Sequence, residues 1–312
     1  MTMPALFKDR LSIPVIASPL FLISNPDLVL AQCRAGVVGS FPSLNARPSG
    51  VFEEWLRRLT SELTDQDAPF AVNLIVHRTN PRLEEDVALC IKYKVPVVIT
   101  SLGARTDIVD AVHSYGGIVF HDVIDNAFAR KAVEKGADGL VAVAAGAGGH
   151  AGTLSPFALV QEIREWFDGP LALSGAIANG SAIAAARALG ADLAYIGSAF
   201  IATEEASAPT AYKQMIVDSH ADDIVYSNLF TGVHGNYLKP SIAAAGLDPN
   251  ALATSDSSKM NFQELAEGKK AWRDIWGCGQ GIGAIHDMVP ATELIERLGA
   301  EYRAALARLA VK

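Results

Sequence analysis

Residues 135–153 read KGADGLVAVAAGAGGHAGT and residues 189–197 read LGADLAYIG, two copies of one corner in which Gly-Ala-Asp separates a helical stretch from a short apolar run. A glycine at that point suits a helix that stops in the left-handed conformation. The apolar runs themselves, residues 140–143 and 193–197, are too apolar to have a wet face and suit strands buried on both sides. The same alternation extends outward. It predicts further strands at residues 14–17, 37–39, 70–74, 97–100, 118–121 and 171–174. Helical spacing between them predicts helices at 27–35, 51–63, 82–93, 106–114, 127–135, 156–166 and 181–189, with Asn25, Asn126, Ser155 and Asn179 as side-chain caps. Eight such units in series argue for an α/β fold, a TIM (β/α)8 barrel, because buried parallel strands of this number close on themselves. A doubly wound open sheet is the rival, and it needs the strand series to reverse at a switch point.

After Phe200 the rhythm fails. Residues 209–221 suit one amphipathic helix, residues 226–250 are rich in Gly, Asn and Pro, and residues 259–270 suit a short polar helix. This gives a barrel of residues 1–205 with 271–312, and an inserted lid region after the eighth strand, residues 206–270, covering one mouth. Trp272 and Trp276, four apart, suit helix packing. A second glycine-rich segment, GCGQGIGAI, occupies residues 277–285, and residues 290–309 carry one apolar helical stripe.

The 312 residues are 50% hydrophobic and 19% charged, which excludes a disordered chain. A net charge of −8 offers no attraction to phosphate polymers or anionic membranes, so neither nucleic acid nor a membrane is expected as a partner. The first residues are broken by Pro4, Pro14, Pro19 and Lys8-Asp9-Arg10, unlike a secretory signal. Cys33, Cys90 and Cys278 lie far apart without a C-x-x-C pair, so neither a disulfide framework nor a thiolate metal site is expected. A reducing cytoplasm is the simplest setting.

In such a barrel the working face is formed at the carboxyl-terminal ends of the strands. That gathers Ser18-Pro19, Asn73, Ser101, His121-Asp122, the His150 loop, Ser174-Gly175 and Gly197-Ser198 around one opening. Gly146, Gly148, Gly149 and Gly152 permit positive φ and close approach of a flat ligand, and His150 is the one side chain in that loop able to exchange a proton near neutrality. Ser174-Gly175-Ala176 and Gly197-Ser198 come after consecutive strands and offer amides and hydroxyls where barrels hold a phosphate. Gly146–Ala151 also matches G-x-G-x-x-A, but the next helix signal comes only at Ser155-Pro156, so a dinucleotide fingerprint is rejected. His121 is expected to be structural, His234 to be loop filler, and Cys278 to lack a paired base.

These residues resemble the nitronate monooxygenases, also called 2-nitropropane dioxygenases. The resemblance rests on residues 14–20 (PVIASPL), 71–74 (AVNL), 146–153 (GAGGHAGT), 174–177 (SGAI), 197–203 (GSAFIAT) and 279–283 (GQGIG), in the family's order over nearly the whole chain. It implies FMN on a TIM-type barrel, with its phosphate in the Ser174-Gly175-Ala176 and Gly197-Ser198 turns. Its ring would lie against Ser18, Pro19, Leu20 and Asn73, beside Gly148, Gly149 and Asp122, and Gln280 and Gly281 would close on it. His150 would take the α-proton of a nitroalkane or hold the nitro group of its nitronate. Two positions depart from the family. Ala17-Ser18-Pro19-Leu20 replaces Gln-Ala-Pro-Met, and Asp122 stands where some relatives place a lysine; a carboxylate there disfavours an anionic reduced flavin.

The leading expectation is therefore a flavin-dependent oxidoreductase that takes a small nitronate or nitroalkane and O2. An NAD(P)H-dependent quinone or enoyl-thioester reductase on the same scaffold is the alternative, and a phosphate-binding barrel without flavin is the third. A homodimer is left open.

Overall fold

The computed structural model describes residues 3–48, 50–254 and 275–310. Its parallel barrel strands are β1 (Val15–Ala17), β2 (Gly39–Pro42), β3 (Phe70–Ile75), β4 (Val97–Ser101), β5 (Ile118–Val123), β6 (Gly139–Val143), β8 (Leu171–Ser174) and β9 (Leu193–Ile196). Short β7 (Gly149–His150) intervenes and belongs to another sheet. The eight strands pair in the order β1-β9-β8-β6-β5-β4-β3-β2, and a parallel bridge between Ile16 and Val38 brings the first and last together. No reversal occurs, so the open-sheet rival falls. Helices α1 (Pro26–Arg34), α2 (Val51–Glu62), α3 (Leu83–Lys92), α4 (Thr106–His113), α5 (Asn126–Glu134), α6 (Pro156–Arg164) and α7 (Gly180–Leu189) form the outer ring.

The two Gly-Ala-Asp corners are equivalent in detail. Gly136 and Gly190 have φ of 95° and 112°, the left-handed stop that the sequence implies. Asp138 N donates to Val119 O (2.9 Å) and its Oδ2 accepts from Val119 N (2.7 Å). Asp192 repeats this on Leu171, at 2.7 and 2.9 Å. Each aspartate thus extends the ladder by one rung, with its carboxylate in place of a carbonyl.

Alternation along the strands separates two cores. Ile16, Val38, Ala71, Val97, Ile99, Phe120, Val141, Ala172, Leu193 and Tyr195 fill the barrel, and Phe7 stacks on Phe120 at 6.2 Å to plug its amino-terminal end. The intervening residues, such as Val72, Val98, Leu140 and Ile196, pack against the helices.

Three details differ from the sequence expectation. β2 begins at Gly39, because Ser40 satisfies its hydroxyl on Ala17 O inside the barrel and Pro42 ends the strand without needing an N–H. Asp125, not Asn126, caps α5 through Phe128 N at 2.9 Å; Asn126 instead links Glu162 and Trp166. The stretch 226–250 is not irregular: β10 (Ile224–Ser227) and β11 (Gly235–Leu238) form a hairpin, and α10 (Lys239–Ala244) carries its proline in the first turn, where no amide is needed. Its Gly and Asn mark the hairpin tip, not the whole segment. Helices α8 (Ser198–Ile201), α9 (Thr210–Asp218) and α11 (Ala291–Ala310) complete the fold. The helix expected at 259–270 and Trp272 lie outside the described residues, and Trp276 stacks on Tyr212 at 4.7 Å.

Candidate active site

Inside the barrel, the apolar filling gives way to polar groups in the layer nearest the carboxyl-terminal mouth. Two residues beyond Val38, Ala71, Ile99, Phe120 and Ala172, strand alternation sets Ser40, Asn73, Ser101, Asp122 and Ser174 on the interior face. Three of them form a relay. Asn73 Nδ2 donates to Ile99 O (3.0 Å) and to Ser101 Oγ (2.8 Å), and Ser101 Oγ donates to Asp122 Oδ2 (2.6 Å). Asp122 Oδ1 is buried with no partner among the described residues. Burial pushes its carboxyl up to about 6, against the pull of the Ser101 hydrogen bond.

His150 stands in the loop that leaves β6, on β7. This two-residue strand pairs antiparallel with β11, His150 opposite Gly235 and Gly149 opposite Asn236, so β10, β11 and β7 make a second, three-stranded sheet. Side-chain and backbone bonds reinforce the pairing: Ala151 N to His234 O (3.2 Å), Tyr226 Oη to Ala151 O (2.8 Å) and Asn236 Nδ2 to Ala147 O (2.7 Å). His150 Nε2 lies 3.1 Å from Thr231 Oγ1 at the hairpin tip. Desolvation takes the imidazole down to about 4, so the ring is neutral at physiological pH.

The loop glycines divide by what a side chain would meet. At Gly148 a Cβ would come 2.8 Å from Gly279 N, and at Gly152 it would come 2.8 Å from Val143 O; both permit close approach of protein backbone. Only Gly149, with φ 65° and no atom within 4 Å of a built Cβ, faces open space in the way the sequence suggests for the loop as a whole.

The segment around Gln280 and Gly281 draws three strand-end loops together. Gly146 O receives both Gln280 N (2.9 Å) and Ala176 N (3.2 Å), and Gly279 N donates to Ser198 Oγ (2.9 Å). A Cβ on Gly281 would strike the Ala176 carbonyl at 2.8 Å. Ser18 N donates to Ile196 O (2.8 Å), and the open side of Gly197 meets Ser18 Oγ and Leu20 Cδ2, so the Ser18-Pro19-Leu20 loop lies against the last strand-end turn. Ser174, Gly175, Ala176, Gly197 and Ser198 are thus one cluster. The Ala176 amide serves Gly146 O, which removes one donor from the phosphate cradle read from sequence, while Ser198 Oγ gives only a lone pair to Gly279 N.

His121 is on the outward face of β5, its Nδ1 2.6 Å from Thr100 Oγ1 and its pKa lowered to about 4 by burial, which fits the structural role expected of it. His234 stacks on Tyr226 at 5.0 Å. The Cys278 thiol is pushed up to about 12 by burial, far from thiolate chemistry. Sequence reasoning missed Thr231 and Asn236. A hairpin pairing with the His150 loop is the one signal that exposes them, and the glycines around both residues hid it.

A parallel barrel with a polar mouth, a neutral histidine and glycine-rich turns converging on it has the layout of a barrel enzyme. Residues 81–301 match the family model described as Nitronate monooxygenase, and the chain belongs to that family. It is 25% identical over 360 residues to the nitronate monooxygenase of Paraburkholderia phytofirmans, covering 98% of this chain and 96% of that protein. It resembles the structure of FabK from Thermotoga maritima (TM-score 0.80, 26% identity, 97% and 96% covered). The fold is also that of a nitroalkane oxidase from Streptomyces ansochromogenes (TM-score 0.82, 24% identity, 98% and 100% covered). Among the described residues no helix is long and apolar enough to cross a membrane.

Proposed function

We propose that the chain oxidises alkyl nitronates, and nitroalkanes after deprotonation, with O2 to carbonyl compounds and nitrite, using FMN held across the barrel mouth. The observation that carries this reading is the neutral, desolvated imidazole of His150 beside the polar mouth, a group able to accept the α-proton of a carbon acid. The phosphate is assigned to the Ser174-Gly175-Ala176 and Gly197-Ser198 turns. The ring is assigned to Ser18, Pro19, Leu20, Asn73, Gly148 and Gly149, with Gln280 and Gly281 closing over it. Asp122 supports the fit, since its unpartnered buried Oδ1 needs a donor and the pyrimidine edge of a flavin has an N–H. Bound FMN supplies the electron-accepting chemistry that side chains lack. Residues 206–270 are assigned as the lid, and β10–β11 within them order the His150 loop and exclude water. A pKa near 4 makes His150 a weak base, so a preformed nitronate is the better substrate.

The test is spectroscopic. The purified protein is expected to be yellow, to bleach with an alkyl nitronate under anaerobic conditions and to recover in air; a bound flavin indifferent to nitronate ends this proposal. The likeness to FabK supports a second reading, an NAD(P)H-dependent quinone or enoyl-thioester reductase on the same site. Rapid bleaching by NAD(P)H with turnover of a quinone decides for it.

A further inference from the structure

The relay from Asn73 to Asp122 has a direction. The Ile99 carbonyl can only accept, so the group 3.0 Å from it is the Asn73 amide nitrogen, whose second hydrogen goes to Ser101 Oγ at 2.8 Å. Ser101 Oγ uses a lone pair there, and its own hydrogen goes to Asp122 Oδ2 at 2.6 Å. Oδ2 is thereby held as an acceptor. Oδ1, buried and with no partner among the described residues, is the oxygen left to carry a proton. We propose that Asp122 is a binding-linked proton site: in weakly acidic solution the free protein holds a hydrogen on Oδ1, and releases it to water when a ligand N–H becomes the partner of that oxygen.

This rests on the assignment of FMN to the mouth. An oxidised flavin ring has a single N–H, an imide between two carbonyls, and a carboxylate oxygen is the acceptor that matches it. Burial holds the free carboxyl up to about 6, so the proton is present at pH 5 and gone at pH 7.5. The bound form needs the carboxylate, so affinity is complete above pH 6 and falls by about tenfold per pH unit below it. The surrounding groups do not titrate in this window. Flanking strands β4 and β6 carry no titratable side chain, and His121, outward on β5, and His150 are neutral above about pH 4. Across the barrel, burial and the charge of Asp122 push the Tyr195 phenol well above its ordinary value.

Infrared difference spectra of the flavin-free full chain read the proton directly. Expected is a protonated-carboxyl band, assigned by its loss in Asp122→Asn, that titrates near pH 6 and shifts to higher pH in Ser101→Ala, where Oδ2 has lost its donor. No such band at pH 5, or a midpoint unmoved in Ser101→Ala, overturns the proton site. Titration with FMN and with 3-methyl-FMN, which lacks the N–H, reads the partner through quenching of flavin fluorescence. At pH 7.5 the parent should hold FMN on the order of tenfold tighter than the methylated flavin, and Asp122→Asn, with its oxygen toward Ser101 and its amide hydrogens toward the ligand, should lose that preference. From pH 7 to 5 the parent's FMN affinity should fall about tenfold more than the variant's, since the phosphate of FMN titrates alike in both. Equal affinity of the parent for the two flavins overturns the N–H partner. A parent that shows the carboxyl band but binds neither flavin upholds the proton site and overturns the FMN assignment alone.

Discussion

Gly148→Ala tests whether the glycine loop is shaped by the protein or by a ligand. The backbone of Gly148 is outside the left-handed region, so alanine brings no conformational penalty and the change is steric. Its Cβ would stand 2.8 Å from Gly279 N and 3.0 Å from Cys278 C, where unbonded atoms rest at about 3.5–4 Å. The 278–280 segment must retreat, and with it go the bonds from Gly279 N to Ser198 Oγ and from Gln280 N to Gly146 O. Each bond contributes about 0.5–1.5 kcal/mol and overpacking costs about 1–3 kcal/mol, so a loss of roughly 2–6 kcal/mol is expected. Gly149→Ala is the control: it meets no atom within 4 Å, but its φ of 65° costs about 1–2 kcal/mol. Urea unfolding reads both, and titration with FMN, followed by quenching of its fluorescence, reads the cofactor. Weaker FMN binding is expected for Gly148→Ala as the C-terminal segment withdraws. A Gly148→Ala protein as stable as its parent refutes the reasoning, since the close approach would then bear no energy.

Three further outcomes rest on the geometry. His150→Ala is expected to lower neutral nitroalkane turnover by on the order of 10²–10⁴ with nitronate turnover and FMN binding retained, and the parent's nitroalkane kcat/KM should stay flat from pH 8 to about 5, because the ring gains its proton only near 4; an acid limb centred at 6.5 contradicts the burial argument. For Asp122, whose folded pKa of about 6 lies above 3.8, the folded chain holds the extra proton, so this group's contribution to stability is greatest below pH 4 and is lost as pH rises through 6; Asp122→Asn should remove that part of the pH dependence and stabilise the protein at pH 7.5 by up to roughly 3 kcal/mol, read by urea unfolding of both proteins at both ends of the window. Asp192→Ala strands the buried Leu171 amide and takes the carboxylate from the half-buried Arg164, whose Nε and Nη1 keep the Gly190, Phe167 and Gly169 carbonyls, an expected loss of about 2–4 kcal/mol, whereas Asp138→Ala at the more exposed twin corner should cost about 1–2 kcal/mol; equal losses measured by thermal unfolding would deny that burial sets the difference.

Much of the barrel was legible because its signals are local. Apolar runs, glycine stops and Asn or Ser caps each act within a few residues, and all eight predicted strands overlap the observed ones, seven of them starting within one residue. The Gly-Ala-Asp corners were legible as a pair, since each aspartate bonds the neighbouring strand in the same way. The polar mouth was half legible. Asn73, Ser101, Asp122 and Ser174 are evident from strand ends, but their inward direction depends on a register that only the closed sheet sets. The hairpin 224–238 was not legible, because its strands are held by pairing with β7, and a two-residue strand has no periodicity to read.

That hairpin changes how the site is understood. In the proposed reading the cofactor rests on turns that belong to β1, β8 and β9, yet His150 is held from outside the barrel. β11 pairs with its backbone and Thr231 Oγ1 lies 3.1 Å from its ring, so any displacement of the insertion moves the imidazole. The glycines at 146, 148 and 152 couple the same loop to the C-terminal segment and to β5. Both couplings meet in one short loop. Substitutions far along the chain, at Asn236 or Cys278, are therefore expected to act on His150 as strongly as substitutions beside it, since Asn236 joins Ala147 through its side chain and Cys278 through its carbonyl.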